Sequence, residues 1–362
     1  MRGSEAAHRD APGRHGDVAD RDGVAAGPAD TSGSSAAALA PGGALSVPLV
    51  LGGLRLDRRL FMAPMAGLTI GPLRRSVRRW GAGLVHTEMI SACGIHYGNR
   101  RTLDYLRCSP DEHPIGYQIF GADPDIMAAA AAACLQAGAD VIDLNMACPV
   151  RKVLKTGAGA ALLDDASRAT AIVTAVSGAL AGAAPVTVKV RSGVRAGEIA
   201  VLDLAPRLVE AGAAAVTLHP RSAAQLYRGA ADHEVTRRLA ALLPVPVIAS
   251  GDIGDAAACR AVLDAGAGGV MLARAALGRP WLFTEILRDV SPPGLQARLQ
   301  ELARFVAEVA AERGERGVGY LRQLWPRFRR SGTLTREQSM ALMGAATVSE
   351  VTALLTAARH AC

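Results

Sequence analysis

The run AGADVIDLNM, residues 137–146, decides the fold. Its Ala-Gly-Ala opening reads as the end of an alanine-rich helix (124–137), because glycine tolerates the left-handed turn that stops a helix. A short apolar run rich in Val, Ile and Leu follows at once. The same Ala-Gly-Ala signal recurs at 211–213 and 265–267, each time ahead of another such run. Working outward, eight strand candidates emerge at 60–65, 82–89, 114–121, 139–146, 185–193, 213–221, 244–253 and 267–274. Short strands apolar on both faces, alternating with helices, predict a parallel sheet covered by helices. Eight units predict an α/β fold of the (β/α)₈ TIM-barrel type. A doubly wound sheet would carry a Gly-x-Gly-x-x-Gly turn after its first strand, and here that strand runs into APMAGLT (63–69).

The flanks differ. Residues 1–44 are rich in Ala, Gly, Asp, Arg and Ser without periodicity, a composition expected to remain a disordered tail. LVLGGLRLDRRL (49–60) predicts a short hairpin around Gly52 and Gly53 that plugs the bottom of the barrel. The segment GIHYGNRRTLDYL (94–106) reads as a long loop. Beyond residue 290 the pattern turns helical, with an arginine-rich, aromatic-interleaved stretch at 317–332. The expected domains are therefore a tail (1–44), a barrel (45–290) and a small all-helical C-terminal domain (291–362).

A net charge of +7 and a pI near 9.4 suit a phosphate-rich partner without demanding one. Six scattered cysteines form neither a Cys-x-x-Cys pair nor a Cys/His cluster at zinc spacing, so no metal site or disulfide framework is expected. The uncharged stretch 34–54 is interrupted by Pro41, Pro48 and glycines. A continuous membrane-spanning helix is therefore not expected, and a cytoplasmic monomer is the default.

Barrel catalysis sits at the C-terminal ends of the strands. The polar residues there are Gln118, Asn145, Cys148, Lys189, Arg191, His219, Arg221, Ser250, Gly251, Asp252 and Arg274. ASGDI (249–253) and LARAALG (272–278) fit a phosphate site built from a glycine turn, a helix start and Arg274. Lys189 is suited to stabilising negative charge on a cofactor, to a Schiff base, or to an ion pair with Asp143. Cys148 lies just past its strand and near Arg151, Lys152 and Lys155. Those cations favour a thiolate nucleophile, whereas an apolar setting favours a general acid.

The segments MAPMAGLT, GAGLVHTEMISACGIHYGNRRTL, PIGYQIFGADPDIM, GADVIDLNMACPVRKVLKTGAGAALL, VTVKVRSG, VTLHPRSAAQLYRGAADH, VIASGDI and VMLARAALGRPWLF resemble the tRNA-dihydrouridine synthases, in particular the bacterial B-type branch. The likeness runs in unbroken order from Leu49 to Phe283. It implies a barrel with tightly bound FMN, followed by a helical tRNA-binding domain. NADPH would reduce the FMN, hydride would pass to C6 of a tRNA uridine, and Cys148 would protonate C5. Carried over by position, Pro64, Met65, Gln118, Lys189 and His219 would meet the isoalloxazine. Ser250, Gly251, Asp252, Ala273 and Arg274 would serve the phosphate end. Asn145 would meet the uracil, and Arg151, Lys152, Lys155, Arg191 and Arg221 the RNA. Departures are Ala147 before the cysteine, Pro220 after His219, Ser250, and a C-terminal motif in which Gln323 and Leu324 follow Arg322 and Pro326 falls inside the expected helix. Two alternatives are a flavin barrel acting on a free small molecule and a non-catalytic RNA-binding protein.

Overall fold

In a computed structural model, which describes residues 43–360, all eight expected barrel strands form. A hairpin of β1 (Leu49–Leu51) and β2 (Leu54–Leu56) precedes them. The barrel consists of β3 (Leu60–Met62), β4 (Val85–His86), β5 (Ile90–Ser91), β6 (Ile115–Phe120), β7 (Val141–Met146), β8 (Val186–Arg191), β9 (Ala215–His219), β10 (Val247–Ser250) and β11 (Gly269–Leu272). Both β4 and β5 pair in parallel with β6, so together they make the second barrel strand, broken at residues 87–89. Every other pairing in the barrel is also parallel, running from β6 through β11 to β3. A parallel bridge between Phe61 and Leu84 closes the ring.

Covering this ring are α1 (Gly71–Arg79), α2 (Ala92–His96), α3 (Arg100–Leu103), α4 (Pro124–Gln136), α5 (Arg151–Leu154), α6 (Ala166–Leu180), α7 (Val201–Glu210), α8 (His233–Leu242), α9 (Ala256–Asp264) and α10 (Leu282–Arg288). The helix starts are chemically marked: Asp123, Asp165, Asp232 and Asp255 each accept from a backbone N–H of the turn they cap. Gly138, Gly212 and Gly266 of the three Ala-Gly-Ala runs all take positive φ (97°, 113° and 96°), as a helix stop requires. The 94–106 segment is not the open loop expected. Ser91 and Asn99 cap α2 and α3, and hydroxyl and amide caps make such short turns stable.

The hairpin plugs the N-terminal end of the barrel. A Cβ on Gly52 would meet Pro185, which leads into β8, and Leu49, Leu51 and Leu56 join Phe61, Val141, Ala215, Ile248 and Met271 in a separate apolar cluster. The C-terminal segment is helical as expected: α11 (Leu295–Arg313), α12 (Gly317–Arg322), α13 (Trp325–Arg330), α14 (Arg336–Gly344) and α15 (Val348–His360). Pro326 lies in the first turn of α13 instead of inside a longer helix, where its missing N–H costs nothing.

The helical segment shares the core of the barrel, and the described residues form one compact unit. An ionic lattice joins α1 to α11: Arg75 to Glu308 at 2.9 Å, Arg79 to Glu308 and Glu301 at 2.7 Å each, and Ser76 donating to Glu301 at 2.6 Å. The expected tail lies outside the described residues except for Gly43 and Ala44.

Candidate active site

Strand register alone brings Gln118, Asp143, Asn145, Lys189 and His219 to one mouth. Gln118 lies opposite Asp143, Asn145 opposite Lys189, and Arg191 opposite His219. A bonded chain runs through them. The Thr187 hydroxyl donates to Asp143 at 2.7 Å, and Gln118 Nε2 donates to the same carboxylate at 2.6 Å. Asn145 Nδ2 donates to Gln118 Oε1 at 2.7 Å, while Asn145 Oδ1 accepts from the N–H groups of Ala147 and Cys148 at 3.1 and 2.9 Å.

The carboxylate only accepts here, so Gln118 must face it with its nitrogen, and that choice fixes both amides in turn. The chain therefore holds the backbone of the thiol loop in one pose. Each amide retains one further N–H for a ligand.

Cys148 is half-buried at the head of this loop. Gly159, at φ 63°, lets the returning chain press against it: a Cβ there would stand 2.8 Å from the Cys148 carbonyl, which accepts from Ala160 N–H at 3.0 Å. Ala147 is not among the residues of positive φ, so its methyl group fits the loop without strain.

Lys189 is buried, has no hydrogen-bond or ion-pair partner among the described residues, and lies near the Asp143 carboxylate. Burial pushes its amine down to about 8, an effect partly opposed by Asp143. His219 is pushed down to about 2 by burial, with the positive charges of Lys189, Arg191 and Arg221 adding to the effect. The imidazole is therefore neutral and accepts from Arg221 at 3.3 Å.

The two strand-end arginines do not face outward as free cations. Arg191 is buried and donates to the carbonyls of Ala147, Ser222 and Leu226 at 2.9, 3.0 and 2.8 Å, tying the thiol loop to the loop after β9. Arg221 is buried and forks onto Asp252 at 2.9 and 2.5 Å, holding that carboxyl below its usual range. Met65 is likewise engaged, its N–H donating to the Thr69 hydroxyl at 3.0 Å beside Pro64. By contrast, Arg151, Lys152 and Lys155 are exposed and unpaired among the described residues.

At the last two strands the turn is built for close approach. Gly251 has φ 101°, and a Cβ there would stand 2.5 Å from the His219 ring. Ser250 donates to Met271 O at 3.1 Å, which joins β10 to β11. Ala273 leads into Arg274, whose half-exposed guanidinium lies 4.8 Å from the Tyr227 ring centre.

Sequence reasoning missed Tyr227, which the loop after β9 brings between Arg274 and Arg191. It also missed Glu88, a buried carboxylate raised by burial that accepts from Gly67 N–H in the loop after β3. Tyr320 of α12 donates to Leu68 O in the same loop at 2.9 Å. A buried acid at a strand end marks Glu88 in the sequence, whereas nothing local marks Tyr320.

A family model described as dihydrouridine synthase (Dus) matches residues 61–322. The chain belongs to the dihydrouridine synthase family. A probable tRNA-dihydrouridine synthase 1 of Synechocystis sp. is 43% identical over 66% of this chain and 67% of its own length. The tRNA-dihydrouridine synthase B of Pseudomonas putida is 39% identical over 65% of this chain and 70% of its own. A probable tRNA-dihydrouridine synthase of Rhodobacter capsulatus is also 39% identical, over 71% and 80%. Among solved structures, a histamine dehydrogenase from Rhizobium sp. 4-9 aligns with a TM-score of 0.54 at 15% identity over 73% of this chain and 51% of that one. A 6-hydroxypseudooxynicotine amine oxidase from Pseudomonas geniculata N1 gives 0.55 at 14% over 69% and 50%. These two likenesses concern the barrel fold only. For this synthase, no described helix is long and apolar enough to cross a membrane.

Proposed function

We propose that this chain reduces the C5=C6 bond of uridines in tRNA, using bound FMN and NADPH. The family membership supports the reaction class, and the site chemistry fits the cofactor. The buried, unpartnered Lys189 amine suits an electron-rich ring edge, and the half-exposed Arg274 after β11 offers charge for a phosphate. Gln118 and His219 stand beside that amine, the first with a spare N–H and the second neutral. When bound, the flavin supplies hydride to uracil C6.

Every other task falls to side chains and backbone. Asn145 offers its remaining N–H to a uracil carbonyl while fixing the backbone N–H of Cys148. The Cys148 thiol would give its proton to C5. A base reaching the barrel mouth must leave its stack. Arg151, Lys152 and Lys155 attract the RNA backbone around that base. The observation that carries the reading is the bonded chain from Asp143 to the Cys148 N–H.

Purified protein should be yellow, and deleting its gene should remove dihydrouridine from defined tRNA positions. Returning Cys148→Ala should leave flavin content unchanged and cut dihydrouridine formation by about 10²–10⁴-fold, the usual worth of a positioned acid. A deletion that leaves every dihydrouridine in place refutes the function. Turnover of free pyrimidines without tRNA would favour the small-molecule alternative.

A further inference from the structure

Away from the barrel mouth, three side chains form a second reactive constellation. Cys108 precedes β6, His113 stands two residues ahead of that strand, and Asp140 comes just before β7. His113 Nδ1 faces Asp140 Oδ2 at 2.7 Å, and the same oxygen accepts from Ile115 N–H at 2.7 Å. His113 Nε2 faces Cys108 Sγ at 3.7 Å, within the range of a sulfur hydrogen bond. The carboxylate accepts, so Nδ1 carries the ring N–H and donates to it, and the lone pair of the ring lies on Nε2, toward the thiol. This is the order of nucleophile, base and orienting acid that activates a side chain for attack.

Access favours use of the thiol. Cys108 is half-buried and lines a groove of about 560 Å³ between α1, the 101–112 segment and Arg313 and Arg316. Gly138 lies beside the pair: a Cβ there would stand 3.9 Å from the His113 ring and 4.0 Å from the sulfur, so the absent side chain leaves that flank uncovered. The buried flank is closed by the Tyr117 hydroxyl, which donates to the carbonyls of Leu106 and Ala137 at 2.8 and 3.3 Å. The flavin chemistry uses none of these groups.

We propose that Cys108 is a nucleophilic modification site, activated by His113 under the orientation of Asp140, that takes peroxides and other soft electrophiles. With hydrogen peroxide, His113 first holds the thiol proton. The sulfur then attacks one peroxide oxygen, an S–O bond forms as the O–O bond breaks, and the departing hydroxide takes the proton from His113 as water. Sulfur is oxidised by two electrons to a sulfenic acid, and peroxide is reduced.

Two labelling experiments on the full-length protein test this, and neither depends on the tRNA reaction. Brief iodoacetamide treatment at pH 7, read by peptide mass spectrometry, should alkylate Cys108 at least ten-fold faster than the exposed Cys93. His113→Gln and, separately, Asp140→Asn should bring Cys108 down to the rate of Cys93. Peroxide followed by dimedone should give an adduct on Cys108 that both variants lack. Equal rates at Cys108 and Cys93 in the unmodified protein overturn the proposal, as does a Cys108 rate unchanged in a folded His113→Gln. If neither variant folds, the Cys108-to-Cys93 ratio in the unmodified protein decides alone.

Discussion

Lys189 shows how one side chain turns burial into chemistry. Its amine is pushed down to about 8 from 10.5 by burial, so the charged form is held at a cost that Asp143 only partly offsets. Between those two values the unfolded chain binds the proton more tightly than the folded one, so stability rises with pH in that window. Lys189→Met should abolish this rise, which can be checked as the difference between the two proteins in urea midpoint from pH 7.5 to 10.5. Dihydrouridine formation should move the other way, falling above pH 8 as the amine loses its charge. His219, at about 2, stays neutral throughout and contributes no limb to that profile. The sequence singled out Lys189, Cys148 and Gly251 because polar or glycine residues at the ends of apolar strands are conspicuous. It did not reveal the burial of Arg191 and Arg221, because an arginine at a strand end looks the same whether it faces solvent or buried acceptors.

The thiol loop and α5 form the element on which the proposed reaction turns. Asn145, Gly159 and Arg191 grip it from three sides, while α5 presents Arg151 and Lys152 outward. Replacing both cations with alanine should weaken tRNA binding alike for different sequences. It should also lower the slope of log affinity against log salt by about 2, since each phosphate contact contributes about 1. Flavin content should not change. The residue types in this loop were legible from sequence. The grip was not, because Gln118, Arg191 and Gly159 come from separate elements.

Between the helical C-terminal segment and the barrel, contacts far apart in sequence set the geometry of the loop after β3. Tyr320 of α12 holds Leu68, Glu88 holds Gly67, and Arg313 stacks on Tyr320 at 5.3 Å while facing Glu88 at 3.9 Å. The loop that runs from Pro64 past the expected cofactor is thus pinned by the C-terminal segment. Tyr320→Phe deletes one hydrogen bond of about 1 kcal/mol and leaves the ring in place. It should lower kcat about five-fold with tRNA affinity unchanged, in single-turnover and binding assays.

Packing also brings α13 against the turn after β11: a Cβ on Gly278 would stand 2.7 Å from the Arg327 backbone. Arg327 is pushed down by burial and by its neighbours Arg330 and Arg274, so the arginine-rich stretch meets the proposed phosphate end of the site. The eight strands, their helix stops, the hairpin plug and the helical C-terminus follow from local pattern, because apolar period, caps and glycine turns act over a few residues. The orientation of the amides, the burial of Arg191 and Arg221, the tie from Tyr320 to Leu68 and the Cys108–His113–Asp140 set follow only from tertiary structure. Each depends on which strands lie side by side and on what covers them, and hydrogen bonds across a barrel leave no periodicity in the chain.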